Sequence, residues 1–408
     1  MFRPNLFRSV SFLLVFATGV TYGQQFFPAM QSSQGGGYQA PIVDYYQGQR
    51  GAIWDSEQPI EQFMSNVAER SWMRFDYLHW HLEGPASENI GSPVIDPSDP
   101  LIVFNNETGT SAGEGVIPNL GAISMHNTPG IRGTWGIDLE GSDLELEFFG
   151  TEQNSDYIQF TNIAAGRPTG SETIGTTASP NVVVPLLTSG AAVDAATANY
   201  LIFDSSFQST LRSQIWGAEA TLLSEPYLDG PGIHMQWLGG FRFVQLEEQF
   251  DNVGVSNGGG LLVDTVTSFG ASTLNSMYGP EVGFRLSAQH RWFTFSATPR
   301  VAFTLNDYNA TNRAAPLGGA QVISRVGDVE FTPIVQVSFT GEIHLSEQFS
   351  IFGGYDFMWI YRVTHPYDNI SYDSTTGIVG GFTPNIDQIV DLESFSLRGL
   401  SFGCVFRY

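Results

Sequence analysis

The sequence predicts an all-β protein: a closed up-and-down antiparallel transmembrane β-barrel of about ten strands, with twelve strands as the alternative. Three observations predict it. Apolar residues alternate along the chain with a period of two, the connections between these segments are alternately long and short, and the chain is rich in Gly and aromatic residues. Charged residues make up only 14% of the chain, against roughly 25% in an average soluble domain. Such a barrel has long extracellular loops and short periplasmic turns.

The N-terminal residues have the pattern of an export signal. Arg3 and Arg8 precede a short apolar run, and small residues follow it at the spacing of a cleavage site. We expect residues 1–23 to be a signal peptide cleaved near Gly23, the alternative being a buried N-terminal helix. We expect residues 24–70 to be a periplasmic leader, which could bind peptidoglycan or another envelope protein or could simply be a loosely ordered terminus.

Residues 71–408 carry the alternating pattern and are predicted to form the barrel. In residues 292–305, for example, Phe293, Phe295 and Phe303 share one face, while Thr294 and Thr304 share the other. The ten predicted strands are 71–82, 131–139, 143–149, 210–223, 232–246, 278–288, 292–305, 330–344, 349–362 and 394–408. A further candidate strand at 200–207 lies within a long connection, and because of it a twelve-stranded barrel remains the alternative.

Net charge and cysteine content exclude several classes of protein. The formal net charge is −24, and all 17 basic residues are Arg. Nucleic acid is therefore excluded as a partner, because phosphate binding requires a basic surface. Extensive disorder is excluded because 42% of the residues are hydrophobic. The single Cys, Cys404, cannot form a disulfide within the chain, and the pattern puts it on the lipid-facing side.

The polar faces of the strands are predicted to line the lumen with a network of Arg and carboxylate side chains. Arg suits this role because its planar guanidinium pairs bidentately with carboxylates. A ten-stranded barrel is only slightly wider than an eight-stranded one, whose interior is filled by side chains, so we expect the lumen to be largely plugged. The predicted lumen residues are Arg74, Asp76, Arg132, Asp138, Glu145, Glu147, Glu219, Arg242, Glu281, Arg285, Arg300, Glu330, Glu342, Asp356, Arg362 and Arg407.

Two functions are compatible with this lumen. One is a structural or surface-exposed outer-membrane protein, and the other is a narrow porin-like channel for small solutes. The charge pattern alone does not separate them. No enzyme activity is predicted, because no pairing of a nucleophile with a base is indicated; a membrane-embedded hydrolase is the least favoured alternative.

Aromatic residues near strand ends are predicted to contact outer-membrane lipids. Amphipathic rings prefer the headgroup level of a bilayer, where barrels carry aromatic girdles. The alternative is a soluble barrel or sandwich with an aromatic core. The predicted interface residues are Trp72, Trp80, Trp135, Trp237, Trp292, Trp359 and Tyr408.

No catalytic residue, cofactor or metal site is predicted. His79, His81 and Glu83 share one face at strand spacing, and such a set could hold zinc or copper. Polar residues at the outer rim are the favoured interpretation. The acidic stretches 96–99 and 368–373 could recruit calcium weakly, but a solvated anionic surface fits them better.

Several segments resemble the planctomycete outer-membrane β-barrel family (the BBP family). The resemblance covers about residues 71–408, without the long loops, and His79 and His81 depart from its pattern. It implies a barrel in the bacterial outer membrane but no chemistry. It also implies that the C-terminal aromatic, Tyr408, is read by the barrel-assembly machinery. The segments are 72–80 (WMRFDYLHW), 238–248 (LGGFRFVQLEE), 278–283 (YGPEVG), 353–359 (GGYDFMW) and 399–408 (GLSFGCVFRY).

Overall fold

The protein is described here from a computed structural model that covers most of residues 65–408. By contacts the chain divides into two units, 1–63 and 64–408, and every described residue belongs to the second. The predicted signal peptide and almost all of the leader lie outside the described residues. Among the described residues, no helix has both the length and the hydropathy needed to cross a membrane. The described residues are 65, 67–93, 101–105, 112–139, 141–161, 181–188, 199–230, 232–256, 265–316, 319–376 and 382–408.

Ten antiparallel strands form a closed ring in which each strand pairs with two neighbours. Numbered in chain order and named in order around the ring, they are β11 (Ile233–Ser256), β12 (Thr265–Gln289), β13 (Phe293–Ala315), β14 (Val322–His344), β15 (Phe349–Val363), β18 (Glu393–Arg407), β1 (Ser71–Leu82), β4 (Thr128–Asp138), β5 (Ser142–Thr151) and β9 (Ser206–Ser224). The pairing of β9 with β11 closes the ring.

The remaining strands lie in the connections. They are β2 (Leu101–Asn105), β3 (Ala112–Val116), β6 (Asn154–Thr161), β7 (Asn181–Thr188), β8 (Asn199–Phe203), β10 (Leu228–Gly230), β16 (Ile370–Thr376) and β17 (Phe382–Gln388). Six of them form a second sheet in the order β17-β16-β7-β3-β2, with β8 also paired to β7. The candidate strand at 200–207 is therefore divided between β8 and the start of β9, and it adds no strand to the ring.

The two ends of the ring differ. At one end, which we call the short-turn end, the turns 139–141, 290–292 and 345–348 join consecutive ring strands. At the other, the long-loop end, the connections contain the second sheet. The predicted alternation of long and short connections is thus present, but several long connections hold strands.

Four ring strands extend well beyond their predicted ends. Most of 247–276 and 306–329, which the sequence analysis assigned to loops, belongs to β11, β12, β13 and β14. The alternation continues there, but the outward positions become polar: Asp307 and Asn309 are exposed, whereas Tyr308 and Ala310 between them are buried. A strand with a polar outer face resembles a loop in sequence, so the prediction stopped too early.

The ring is apolar outside and closely packed inside. On β13, Phe303 and Leu305 are 49% and 44% exposed, whereas Thr304 and Asn306 between them are fully buried. This is the reverse of a soluble protein, where large exposed apolar surfaces are rare, and it is the pattern of a strand with one face in lipid. The period of two in the sequence therefore reports an outer apolar face along this part of the ring.

The second sheet packs against the inner side of the ring near the long-loop end. Phe203 of β8 lies 5.2 Å from Phe207 of β9, and Tyr372 of β16 lies 5.8 Å from Phe269 of β12, measured between ring centroids. These side chains belong to one cluster of buried apolar residues that includes both the ring and the second sheet. The interior at this end is therefore apolar.

Candidate functional site inside the ring

A first cluster of ion pairs lies inside the ring around Arg132. Its guanidinium donates to Asp76 at 2.6 and 2.8 Å and lies 3.2 Å from Asp356, and these three side chains are at most 4% exposed. Arg74 also donates to Asp76, at 2.8 and 2.9 Å. Ser338 donates to Asp356 at 2.7 Å. Because Arg132 is on β4 and Asp356 on β15, their ion pair joins strands three places apart in the ring.

A second cluster surrounds Arg242 of β11. Its guanidinium lies 2.7 Å from Glu219 and 3.1 Å from Glu281, and all three side chains are at most 1% exposed. Arg300 of β13 also pairs with Glu219, which is on β9. Thr221 donates to Glu281 at 2.7 Å. The pair between Arg300 and Glu219 again joins strands three places apart.

Arg285 makes the third such connection. It donates two parallel hydrogen bonds of 2.7 Å to Glu145, which lies on β5 while Arg285 lies on β12. This is the bidentate geometry in which Arg binds carboxylates most strongly. On the next inward position of β5, Glu147 accepts a hydrogen bond of 3.2 Å from Thr134. Three ion pairs thus reach across the interior at the level of these residues.

The rim at the short-turn end carries a smaller and more exposed polar group. Arg407 donates to Glu342 at 2.6 Å and to Ser350 at 2.9 Å. His344 lies between them, with its Nδ1 atom 3.0 Å from the Ser350 hydroxyl and its Nε2 atom 2.9 Å from the Thr294 hydroxyl. The side chains of Arg407 and His344 are 39% and 25% exposed. Solvent therefore reaches the network from this end.

Three of the predicted lumen residues are more exposed than the members of the two clusters. Asp138 is exposed at the end of β4, at the short-turn end. Arg362 and Glu330 pair with each other at 3.0 Å, but their side chains are 54% and 31% exposed. At Arg362 the chain has a register shift between Ile360 and Val363 and a φ of 53°, so this residue no longer follows the alternation of β15, whereas Glu330 lies directly opposite the buried Asn306. For these three residues the lumen assignment stays a prediction.

Two of the predicted interface aromatics also face the interior. Trp80 is 2% exposed and packs edge-to-face on Phe149, with 5.6 Å between the centroids. The ring of Trp72 lies over Gly136 on the inner face. Trp72, Asp76 and Trp80 are all at even-numbered positions of β1, so they lie on the same inner face. The prediction placed Asp76 in the lumen but did not extend that face to the two Trp residues. The other predicted interface aromatics have outward positions or lie at the short-turn end; they are Trp135, Trp237, Trp292, Trp359 and Tyr408.

An apolar layer follows the charged network towards the long-loop end. On β1, β5, β11, β13 and β15 the next inward position beyond the last charge of the network is apolar, and this layer was not predicted from the sequence. Its fully or almost fully buried members include Leu78, Phe149, Ile215, Val244, Met277, Ala302, Ile334, Met358 and Leu397. The sequence of β11 does indicate this layer. Phe241 and Phe243 lie on its outer face and Val244 and Leu246 on its inner face, so both faces of the strand are apolar there.

Beyond the apolar layer, residues 364–369 cross into the interior; we call this segment the strap. The Thr364 carbonyl accepts a hydrogen bond of 3.0 Å from the Asn275 side chain, whose oxygen accepts from the Thr364 amide at 3.1 Å. His365 Nδ1 lies 2.6 Å from the Glu248 carboxylate, and both side chains are 2% exposed. Asn306 in turn donates to Asn275 at 3.0 Å. No sequence motif predicted that this segment enters the interior.

Burial and neighbouring charge shift the protonation of the strap. Burial alone would lower the pKa of His365, but the adjacent Glu248 carboxylate outweighs it, so that this pKa is raised. Burial raises the pKa of Asp368 to about 8, against an opposing effect from His365. Burial also raises the pKa of Tyr367 well above its usual value. The strap therefore holds a carboxyl that is mostly neutral near pH 7 and an imidazole whose protonated form is stabilised by Glu248.

Within the described part of the chain, the other candidate sites contain no metal cluster or nucleophile elbow. The described residues include no group of three His, Cys, Asp or Glu side chains that could hold a metal ion. His79 is exposed on the outer face, and the ring of His81 lies 3.8 Å from that of His126. The acidic stretch 96–99 lies outside the described residues, and in 368–373 Asp368 belongs to the strap.

Three G-x-S-x-G sequences occur, centred on Ser111, Ser256 and Ser401. This motif forms a nucleophile elbow only at a strand-to-helix turn. Ser401 is buried within β18, and Ser256 is the last residue of β11. Ser111 lies outside the described residues and is followed at once by β3.

Comparisons with known proteins give only solved structures of low similarity. Among curated proteins, none matches this chain. The outer membrane protease OmpT from Escherichia coli is 9% identical, with 84% of this chain and 98% of OmpT covered and a TM-score of 0.44. The toluene transporters TodX from Pseudomonas putida and TbuX from Ralstonia pickettii are 7% and 8% identical, each with 83% of this chain and 89% of the transporter covered, at TM-scores of 0.19 and 0.21. Likenesses of this size carry no information about activity.

A match to a protein family is more extensive. Residues 72–408 match the family described as "Putative beta barrel porin-7 (BBP7)", so the match spans the whole predicted barrel and all ten ring strands except the first residue of β1. It supports the β-barrel architecture and the outer membrane as the compartment. On this evidence the chain belongs to the beta barrel porin-7 family.

Proposed function

We propose that this chain is a structural or surface-exposed protein of the bacterial outer membrane whose lumen is largely closed. The observation that carries the proposal is the set of ion pairs between strands three places apart: Arg132 with Asp356, Arg300 with Glu219 and Arg285 with Glu145. A bore bridged by side chains at this level leaves little room for solutes. Towards the long-loop end, the apolar layer and then the strap close the same path at two further levels.

The charge balance of the network is consistent with a closed interior. Burying an unpaired charge costs several kcal/mol, so buried ions persist where they are paired and hydrogen-bonded. Arg242, Glu219 and Glu281 are paired with one another and with Arg300. The hydrogen bonds of this cluster come from Arg300 to Glu219 and from Thr221 to Glu281, whereas the Arg242 guanidinium contributes its charge without a well-oriented hydrogen bond. An apolar constriction next to such a network also opposes ion flow, because water leaves it easily.

Conductance in planar bilayers tests this proposal. We expect the inserted wild-type protein to give no stable current steps in 1 M KCl, because no continuous hydrated path crosses the apolar layer. Insertion is verified separately by heat-modifiable migration in gels, which folded barrels show. Stable ohmic steps from protein that shows this migration would contradict the proposal and establish the narrow porin-like channel instead. The polar, partly exposed rim around Arg407 and His344 is the observation that favours that second candidate.

The remaining parts of the proposal concern processing and partners. The chain would be exported with cleavage near Gly23, its short-turn end would face the periplasm, and residues 24–70 would contact peptidoglycan or envelope proteins. Outer-membrane lipids would surround the ring. A planctomycete source and a non-enzymatic role belong to the same proposal. Hydrolysis of ester or peptide substrates by the folded protein would contradict the last point.

Replacing Tyr408 by Ala is expected to lower the amount of membrane-integrated protein several-fold in cells. The proposed reason is that the barrel-assembly machinery reads the exposed C-terminal aromatic. The heat-modifiable band in envelope fractions measures the effect. Tyr227→Ala is the control, because Tyr227 is equally exposed but lies in a turn. Equal integration of both variants would show that Tyr408 is not the recognised residue.

A further inference from the structure

The outer face of the ring contains an apolar groove whose floor is formed by two glycines. Gly341 of β14 and Gly353 of β15 are direct cross-strand partners. On the same rung of the ladder, Phe295 pairs with Gly341 on one side and Phe402 pairs with Gly353 on the other. The groove extends from Leu286 and Ala288 of β12 to Leu400 and Phe402 of β18, and the phenyl rings of Phe295 and Phe402 stand on either side of its glycine floor.

Large apolar side chains occupy the neighbouring rungs on either side of the glycine floor. Phe339 and Tyr355 are paired on the next outward rung towards the long-loop end, and Ile343 and Ile351 on the next one towards the short-turn end. All four are exposed on the outer surface. The groove has a volume of about 600 Å³, and almost all of its lining atoms are apolar. It is a depression in an otherwise convex apolar wall.

We propose that this groove binds an acyl chain of a glycerophospholipid from the surrounding membrane. The inference rests on the proposed placement of the ring in the outer membrane. No charged side chain lines the groove, so an acyl chain covers it without stranding a polar group. A stable protein partner would need about 800 Å² of contact on each side, far more than this depression offers.

The turn beside the groove supplies a site for the phosphate. Ala288 and Phe295, which line the groove, flank the 290–292 turn between β12 and β13. In that turn the Arg291 guanidinium lies 5.1 Å from the centre of the Trp292 ring, and both side chains are exposed. Arg binds phosphate bidentately, and Trp prefers the headgroup level of a bilayer. An acyl chain in the groove and a phosphate at Arg291 would belong to one lipid.

The glycine floor allows a selective test. A Cβ atom at Gly353 would lie 3.7 Å from the Phe402 ring, an ordinary contact, so Gly353→Leu fills the groove without strain at its first atom. Gly133→Leu is the matched control: Gly133 is on the lipid-facing side of β4, and a Cβ there meets nothing within 4 Å. Arg291→Gln removes the proposed phosphate contact and leaves the groove intact.

The measurement is native mass spectrometry of protein extracted in mild detergent from vesicles of phosphatidylethanolamine and phosphatidylglycerol. We expect the wild type and Gly133→Leu to retain one phospholipid, Gly353→Leu to retain at least fivefold less, and Arg291→Gln to be intermediate. Equal retention by the wild type and Gly353→Leu would overturn the proposal. So would a wild-type dimer that Gly353→Leu dissociates, because a second copy would then occupy the groove.

The same samples distinguish this inference from the proposed function. If the wild type shows heat-modifiable migration and inserts into the vesicles but retains no lipid, only the lipid site is wrong. If it does not insert, the membrane placement fails, and the lipid site fails with it.

Discussion

Replacing Arg242 by Met is expected to lower the free energy of unfolding by about 3–5 kcal/mol. The substitution leaves Glu219 and Glu281 buried with one positive partner fewer, and an uncompensated buried carboxylate is costly. Urea unfolding of the protein in lipid vesicles, followed by tryptophan fluorescence, measures the change. Adding Glu281→Gln to Arg242→Met is expected to restore part of the loss, because it removes one of the unpaired charges.

Arg212→Met provides the matched control. Arg212 pairs with Asp251 at 3.0 Å, but their side chains are 38% and 37% exposed. Exposed pairs contribute about 0–1 kcal/mol, so this variant is expected to unfold almost like the wild type. If the two Arg variants lost the same stability, the Arg242 cluster would be solvated, and the interior would not be closed at that level.

Raising the pH from 6 to 9 is expected to release the strap. The folded-state pKa of His365 lies above its usual value of 6.5, so the stabilisation from its pair with Glu248 is complete below about pH 6.5 and is lost as the pH rises through the raised value. Asp368 acts in the same direction, because its pKa is also raised, to about 8, and its ionisation above that pH is opposed by burial. Glu88 and Glu393, whose charges also act on Asp368, strengthen this effect.

Hydrogen exchange of the peptide that contains residues 364–369 measures this release. After correction for the intrinsic rate, we expect at least tenfold less protection at pH 9 than at pH 6. In His365→Gln, protection at pH 6 is expected to fall towards the wild-type value at pH 9. Asp368→Asn is expected to lose the part of the pH dependence centred near pH 8. Protection that does not change with pH in the wild type would contradict the assigned ion pair.

The outer face of the ring could be predicted from the sequence because lipid imposes one simple rule on it. Outward positions such as Phe295 and Phe339 have polar residues on both sides, and the structure has both on the outer surface. The rule weakens where strands leave the apolar zone. Asp307 and Asn309 are outward and polar, so β13 was predicted to end ten residues too early.

The interior was harder to predict, because two different environments follow each other along one strand. On β1, Asp76 belongs to the charged network, while Leu78, Trp80 and Leu82 on the same face belong to the apolar layer. The simple rule that inward residues are polar therefore assigned Trp80 to the outer face, although it lies inside the ring. The strap contact between His365 and Glu248 joins residues 117 positions apart, and no local pattern encodes it.

A spin-label scan along β13 in lipid vesicles tests the central claim most directly, with Cys404 replaced by Ser and labels placed one at a time at residues 301–306. Val301, Phe303 and Leu305 face outwards, while Ala302, Thr304 and Asn306 are buried inside the ring. We predict that the odd positions are accessible to oxygen dissolved in the bilayer and that the even positions are accessible neither to oxygen nor to a water-soluble nickel reagent. High nickel accessibility at the even positions would mean an open channel, and the absence of any alternation would mean that this wall does not face lipid.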